Sequence, residues 1–170
     1  VAITRANWPN LEVISAGAAE SSRNDIEADC HIPLMSLPLH LGADKGSLSA
    51  SAAYLAVPES AQQEWSHRFG QTGRLRVGFA FKGNADHTND SNRSIPHDIF
   101  ISALPQGPEY HFLGIDLEAS ERDYIAARKD VLSHHEEIGD FCDTAAIVAN
   151  MDVVICVDTS VAHLAGALGV

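Results

Sequence analysis

The segment VVICVDTSVAHLAGALGV, residues 153–170, decides the fold. Val153 to Val157 is a run of β-branched and apolar residues and reads as a buried strand. Asp158, Thr159 and Ser160 follow with side-chain oxygens suited to starting a helix, and Val161 to Leu168 places apolar residues at helical spacing. Strand, polar turn and helix make half of a βαβ unit, and a parallel strand inside a sheet needs that crossover to bring the chain back. A chain that closes on Gly169 and Val170 has made the crossover without the returning strand, so the sequence reads as a fragment, incomplete at its C-terminus.

Upstream, the same alternation repeats from Leu75 onward. LRVGFAF, residues 75–81, reads as a central strand, and Pro96 can occupy the first turn of a helix running to about Leu104. Tyr110 to Ile115 is a second strand and Glu118 to Lys129 an acidic surface helix. A short strand is expected near Glu137 and Ile138. Asp143 and Thr144 are expected to cap a helix reaching Met151, and Asp152 to Val157 forms the fourth strand. The expected fold class is α/β, a Rossmann-like doubly wound parallel sheet with helices on both faces.

The first 72 residues are organised differently. Leu11 to Ile14 is strand-like. In CHIPLMSLPLHLG, residues 30–42, Pro33 and Pro38 bracket an apolar core and predict a tight loop with one helical turn. Gly42 to Ser60 is small and polar, like a linker, with Tyr54 and Leu55 as an extended anchor. Ser60 to Arg68 is helix-compatible, and Trp65 and Phe69 lie four apart on one face.

Composition narrows the function classes. Hydrophobic residues at 45% and charged residues at 20% describe an ordinary globular protein. The formal net charge of −12, from 23 acidic and 11 basic side chains, opposes binding to nucleic acid or to an anionic membrane surface, so any phosphate must be held locally. Cys30, Cys142 and Cys156 form no CxxC pair and read as reduced, mostly buried thiols of a cytoplasmic protein. No apolar run is long enough for an integral membrane segment. There is no DxD motif, and His31, His40, His134 and His135 lack a metal-ligand spacing, so no metal or cofactor is expected.

In a doubly wound sheet the strand order grows 3-2-1 and then reverses to 4, and ligands bind in the crevice between the carboxyl ends of strands 1 and 4. Those two ends carry the most polar loops of the segment. After strand 4, Asp158, Thr159 and Ser160 open a helix whose free N–H groups and dipole form an anion site, with hydroxyls from Thr159 and Ser160 and with His163 one turn on. The same residues are also ordinary caps. After strand 1, KGNADHTNDSNRS, residues 82–94, is long for a connection in an α/β unit. It gathers Lys82, Asn84, His87, Asn89, Asn92, Arg93 and Ser94, and it puts the Arg93 guanidinium beside the crevice, where bidentate phosphate contact is possible. A solvated loop is the alternative. Neither GxGxxG nor GxxxxGK[ST] is present.

RVGFAFKGNADHTNDSNRSIP, residues 76–96, followed by DTAAIVANMDVVICVDTSVAHLAGALG, residues 143–169, resembles the two-lobed GT-B glycosyltransferases related to bacterial tetratricopeptide-linked transferases. It is similar also to the lipopolysaccharide heptosyltransferases and the O-GlcNAc transferases. CHIPLMSLPLHLG is similar to the end of that family's N-terminal lobe. The resemblance implies that 1–45 ends the N-terminal lobe, 46–72 is a linker and connecting helix, and 73–170 begins the C-terminal, nucleotide-sugar-binding lobe. It implies that the chain is incomplete at its N-terminus too. The resemblance assigns Thr159, Ser160, His163 and Arg93 to the donor diphosphate, and Lys82, Asn84, Asn89 and Asp158 to the donor pocket. Relatives often carry tryptophan and a small residue where this chain has Phe81 and Lys82, and glutamine near Asp116.

The implied activity is inverting, metal-independent transfer of a hexosyl or heptosyl group from a nucleotide diphosphate sugar to a hydroxyl acceptor, whether glycan, lipid-linked sugar or protein. The piece alone is expected to be inactive, because the acceptor site and catalytic base lie elsewhere. Two rivals are a nonenzymatic nucleotide-binding or scaffold module and a sugar-nucleotide epimerase of the same shape.

Overall fold

The computed structural model describes residues 2–14, 28–44, 46, 53–84 and 87–170. Its centre is strand β1, Arg76–Ala80, flanked by β2, Glu109–Phe112, and β4, Val153–Cys156, with β3, Val131–Ser133, outside β2. All pairings are parallel and the order is β3-β2-β1-β4. The pairs Phe79 with Phe112 and Phe79 with Ile155 fix the register across the centre.

Pleating sends alternate residues of β1 to opposite faces. Val77, Phe79 and Phe81 join Tyr110, Phe112 and Val131 in one apolar layer, covered by Ile101 and Leu104 and by Ile125. These come from α4, His97–Ala103, with the residue after it, and from α5, Ala119–Ala126. On the other face Ala80 and Leu113 pack with Trp65 of α3, Glu59–Phe69, with Ala146 to Val148 of α6, Phe141–Val148, and with Val161 and Ala165 of α7, Ser160–Leu168. Helices therefore cover both faces, as the alternation predicts. Gly78 is required by this second layer: a Cβ there would sit 2.7 Å from Leu113 Cδ1 and 3.1 Å from Met151 Cγ.

Apart from a 3₁₀ turn at Asp90–Asn92 in the loop after β1, the remaining described elements lie ahead of the sheet. Helix α1, Ala2–Asn7, was not signalled by the sequence; α2, Leu37–His40, follows a 3₁₀ turn at Leu34–Ser36, as the two prolines predict. The amides of Tyr54 and Leu55 both donate to the Ala167 carbonyl, at 2.8 and 3.0 Å. The Asn7 side chain pairs with the Ala56 backbone through two 2.8 Å bonds. The expected linker over 46–72 is therefore fastened to the far end of α7 in its described part.

Five expectations change. Strand β4, read as buried, is half-open: Val153 and Ile155 are exposed and Val154 and Cys156 half-buried. Leu11 to Ile14 forms no strand; its described residues are irregular, and Arg5 donates to the Val13 carbonyl. The third strand is Val131–Ser133, because Val131 has the register partner Tyr110, whereas Glu137 and Ile138 donate to the His134 carbonyl in a turn. Helix α6 begins at Phe141, since the Asp140 carboxylate accepts from the Cys142 and Asp143 amides and Asp143 reciprocates. Cys30 is exposed and Cys142 and Cys156 are half-buried, so the thiols are free but not mostly buried. No described helix is long and apolar enough to cross a membrane.

Candidate functional site

The strand order reverses between β1 and β4, the place where a doubly wound sheet opens a crevice outside the carboxyl ends of its strands. On its β4 side, Thr159 is the N-cap of α7, and its Oγ1 accepts from the Val161 amide at 3.1 Å. The hydroxyl proton of Thr159 is still available to a ligand, and Ser160 is exposed beside it. His163 Nε2 lies 3.8 Å from Asp158 Oδ1, and both side chains are about four-fifths exposed, at 80% and 81%. Asp158, Thr159, Ser160 and His163 thus gather at one helix end, where Thr159 takes up the Val161 amide through Oγ1 and the Ala162 amide through its carbonyl, at 3.0 Å.

On the β1 side, the loop is organised by Asp90 and Arg93. Arg93 Nε donates to Asp90 Oδ1 at 3.0 Å, one terminal nitrogen to the Asp158 carbonyl at 3.0 Å, and the other to the Asn84 carbonyl at 3.2 Å. Ser94 Oγ donates to the same Asp90 oxygen at 2.9 Å and accepts from the Gly83 amide at 3.2 Å. The guanidinium lies so close over Gly83 that a Cβ there would come within 2.5 Å of it. One side chain therefore joins the two lips of the crevice.

The candidate residues do not all converge. Lys82 and Asn84, with Gly83, Asp90 and Ser94 of the Arg93 network, line a cavity of about 770 Å³ that extends to Asp116, Glu118, Arg122 and His135, whereas Thr159, Ser160 and His163 are not in its lining. Lys82 Nζ pairs with Glu121 at 2.5 Å, and that carboxylate also accepts from the Glu118 amide at 2.7 Å. Asn89 accepts from Asn92 at 2.6 Å within the loop and does not line this cavity. Both cations that sequence reading selected are thus neutralised by carboxylates that it missed. The signals for these were present: Asp90 lies three residues before Arg93, and Glu118 and Glu121 have capping-box spacing. Among the described residues no cluster of three or more His, Cys, Asp or Glu side chains could hold a metal ion.

No family model and no curated protein matches this chain. Among solved structures it is similar to the ADP-heptose LPS heptosyltransferase II of E. coli, with 16% identity and a TM-score of 0.48 over 72% of this chain and 39% of that one. The chain spans about two fifths of the length of that structure.

Proposed function

We propose that this chain carries the donor-binding part of a GT-B glycosyltransferase, which transfers a sugar from a nucleotide diphosphate donor to a hydroxyl acceptor with inversion and without a metal. The observation that carries the reading is the bridge made by Arg93 across the mouth of the switch-point crevice, directly beside the N-terminus of α7. The motif resemblance of residues 76–96 and 143–169 supports it independently.

A leaving diphosphate develops negative charge as the glycosidic bond to it breaks, and fixed donors aimed at that charge lower the barrier. The Ser160 amide and the Thr159 and Ser160 hydroxyls are such donors in this reading, and the helix dipole favours an anion there despite the acidic protein. A guanidinium has five N–H groups, and three bonds to Asp90, Asp158 and Asn84 leave two for a phosphate oxygen. The Asp90 carboxylate holds the fork in place, so little side-chain entropy is lost when a phosphate arrives. The acceptor proton needs a separate base, which falls to another part of the enzyme in this reading.

The test is calorimetric titration of UDP, ADP and GDP into the full-length protein, followed by a transfer assay on whichever sugar donor the preferred nucleotide implies. Saturable binding of one nucleotide, weakened by Arg93→Ala, is expected. No binding of any of the three would overturn the reading. Binding with donor epimerisation in the absence of acceptor would replace transfer with an isomerase.

A further inference from the structure

We propose that His111 and His134 form an acid-sensitive fastening between α3 and the sheet, which holds while both imidazoles are neutral and releases α3 on proton uptake. The pair lies on the face of the sheet away from α4 and α5, and it has no part in the donor site proposed above.

His111 on β2 is fully buried and His134, just after β3, is 8% exposed. Their rings are nearly parallel, 17° apart with centroids at 5.3 Å, and His111 Nδ1 lies 3.0 Å from His134 Nε2. Helix α3 covers both. Phe69 sits 4.7 Å from His111 and 5.3 Å from His134, centroid to centroid, and Trp65 meets His134 edge-on at 5.4 Å. Carboxylates stand at both ends: Glu109 Oε1 is 3.1 Å from His111 Nε2, and Glu137 Oε1 is 3.5 Å from His134 Nδ1. Each of these has a cation as well, Arg76 of β1 at 3.6 Å from Glu109 and Arg68 of α3 at 2.8 Å from Glu137, and Arg68 also pairs with Glu64.

Counting protons shows why the joint is sensitive. The chain Glu109, His111, His134, Glu137 has three links, and two neutral imidazoles supply two ring protons. The two short links take them: His111 Nε2–H donates to Glu109 and His134 Nε2–H donates to His111. The link to Glu137 is the long one and lacks a proton, and Glu137 is held by Arg68 instead. A third proton enters at His134 Nδ1, supplies the missing link to Glu137 and leaves an imidazolium under Trp65 and Phe69. A fourth sets N–H against N–H between the rings and breaks the central bond.

Burial opposes that first charge, and the second is opposed by burial and by the first. Desolvation, and then the neighbouring His134, push His111 down to about 4, and desolvation lowers His134. The unfolded chain binds both protons near pH 6.5. Because the folded pKa values are depressed, the stabilisation is complete above about pH 6.5 and is lost as pH falls toward 4.

Trp65 reports the joint directly, since it is 3% exposed and Trp8 is the only other tryptophan. In the full chain with Trp8→Phe, Trp65 emission is expected to shift to the red between pH 6.5 and 4. His111→Phe and His134→Phe fill the apolar slot without a titrating group and should move that midpoint down by about one pH unit or more. An unchanged midpoint in both variants would overturn the proposal. Should either variant fail to fold, ring-nitrogen NMR of the unaltered chain decides: a neutral His111 at pH 6 with its Nδ1 accepting is expected. A His111 titrating near 6.5 would overturn it.

Discussion

The Arg93 guanidinium donates to the carbonyl of Asp158 at 3.0 Å, although 65 residues separate the two in sequence. Loop and helix end are therefore parts of one mouth, and changes at either should be felt at the other.

Arg93→Ala removes both the bridge and a charge-assisted donor, and is expected to weaken nucleotide diphosphate binding by about 1.5–3 kcal/mol. Arg93→Lys should recover only part of this, because an ammonium cannot reach Asp90, Asn84 and Asp158 in one plane. Calorimetric affinities equal to those of the unaltered protein would remove Arg93 from the phosphate site.

Gly83→Ala tests the same geometry without touching a charge. Its Cβ would fall 2.5 Å from the Arg93 guanidinium and displace it. The protein should still fold, while nucleotide affinity falls toward that of Arg93→Ala. Full affinity in a folded variant would show that the guanidinium position is unimportant.

Gly78→Ala acts on packing instead. The contacts of 2.7 and 3.1 Å to Leu113 and Met151 predict overpacking that costs about 1–3 kcal/mol, read from denaturant midpoints. A neutral change would mean that this layer has room to adjust.

Thr159→Ala removes the cap on the Val161 amide and should cost about 1 kcal/mol of stability, while Thr159→Ser keeps both cap and hydroxyl. Nucleotide binding that survives Thr159→Ala unchanged would make the hydroxyl a cap alone.

Among the described residues β4 pairs with β1 alone, and Val153 and Ile155 are 39% and 46% exposed on one of its faces. The isolated 170-residue chain should therefore self-associate as its concentration rises, and Ile155→Lys should reduce this in sedimentation runs without shifting the melt. A monomer at all concentrations would contradict it.

The sheet was legible because its central strands carry apolar runs, LRVGFAF and VVICV, and their order is that of a doubly wound sheet, which grows 3-2-1 and then reverses to 4. Val131–Ser133 was missed because three residues give no period to read, and its identity as a strand comes from pairing with β2. The same holds for Asp140, a cap defined by the amides that it meets. At the site, the polar loops were legible as composition and spacing offered Asp90 and Glu121, but not that they would turn onto Arg93 and Lys82. Carboxylates three residues from an arginine are common, and only folding tells which of them turns inward. His111 looked like any strand residue, and its partner 23 positions away is brought near by the β2 to β3 crossover.

The Ala167 carbonyl, held by the amides of Tyr54 and Leu55, gives α7 a mechanical meaning. The helix is nine residues long, about 13 Å. Its first turn lies at the Arg93 bridge and its last turn is tied to the segment that leads into α3. The candidate site and the connector ahead of α3 are therefore attached to opposite ends of one short rod.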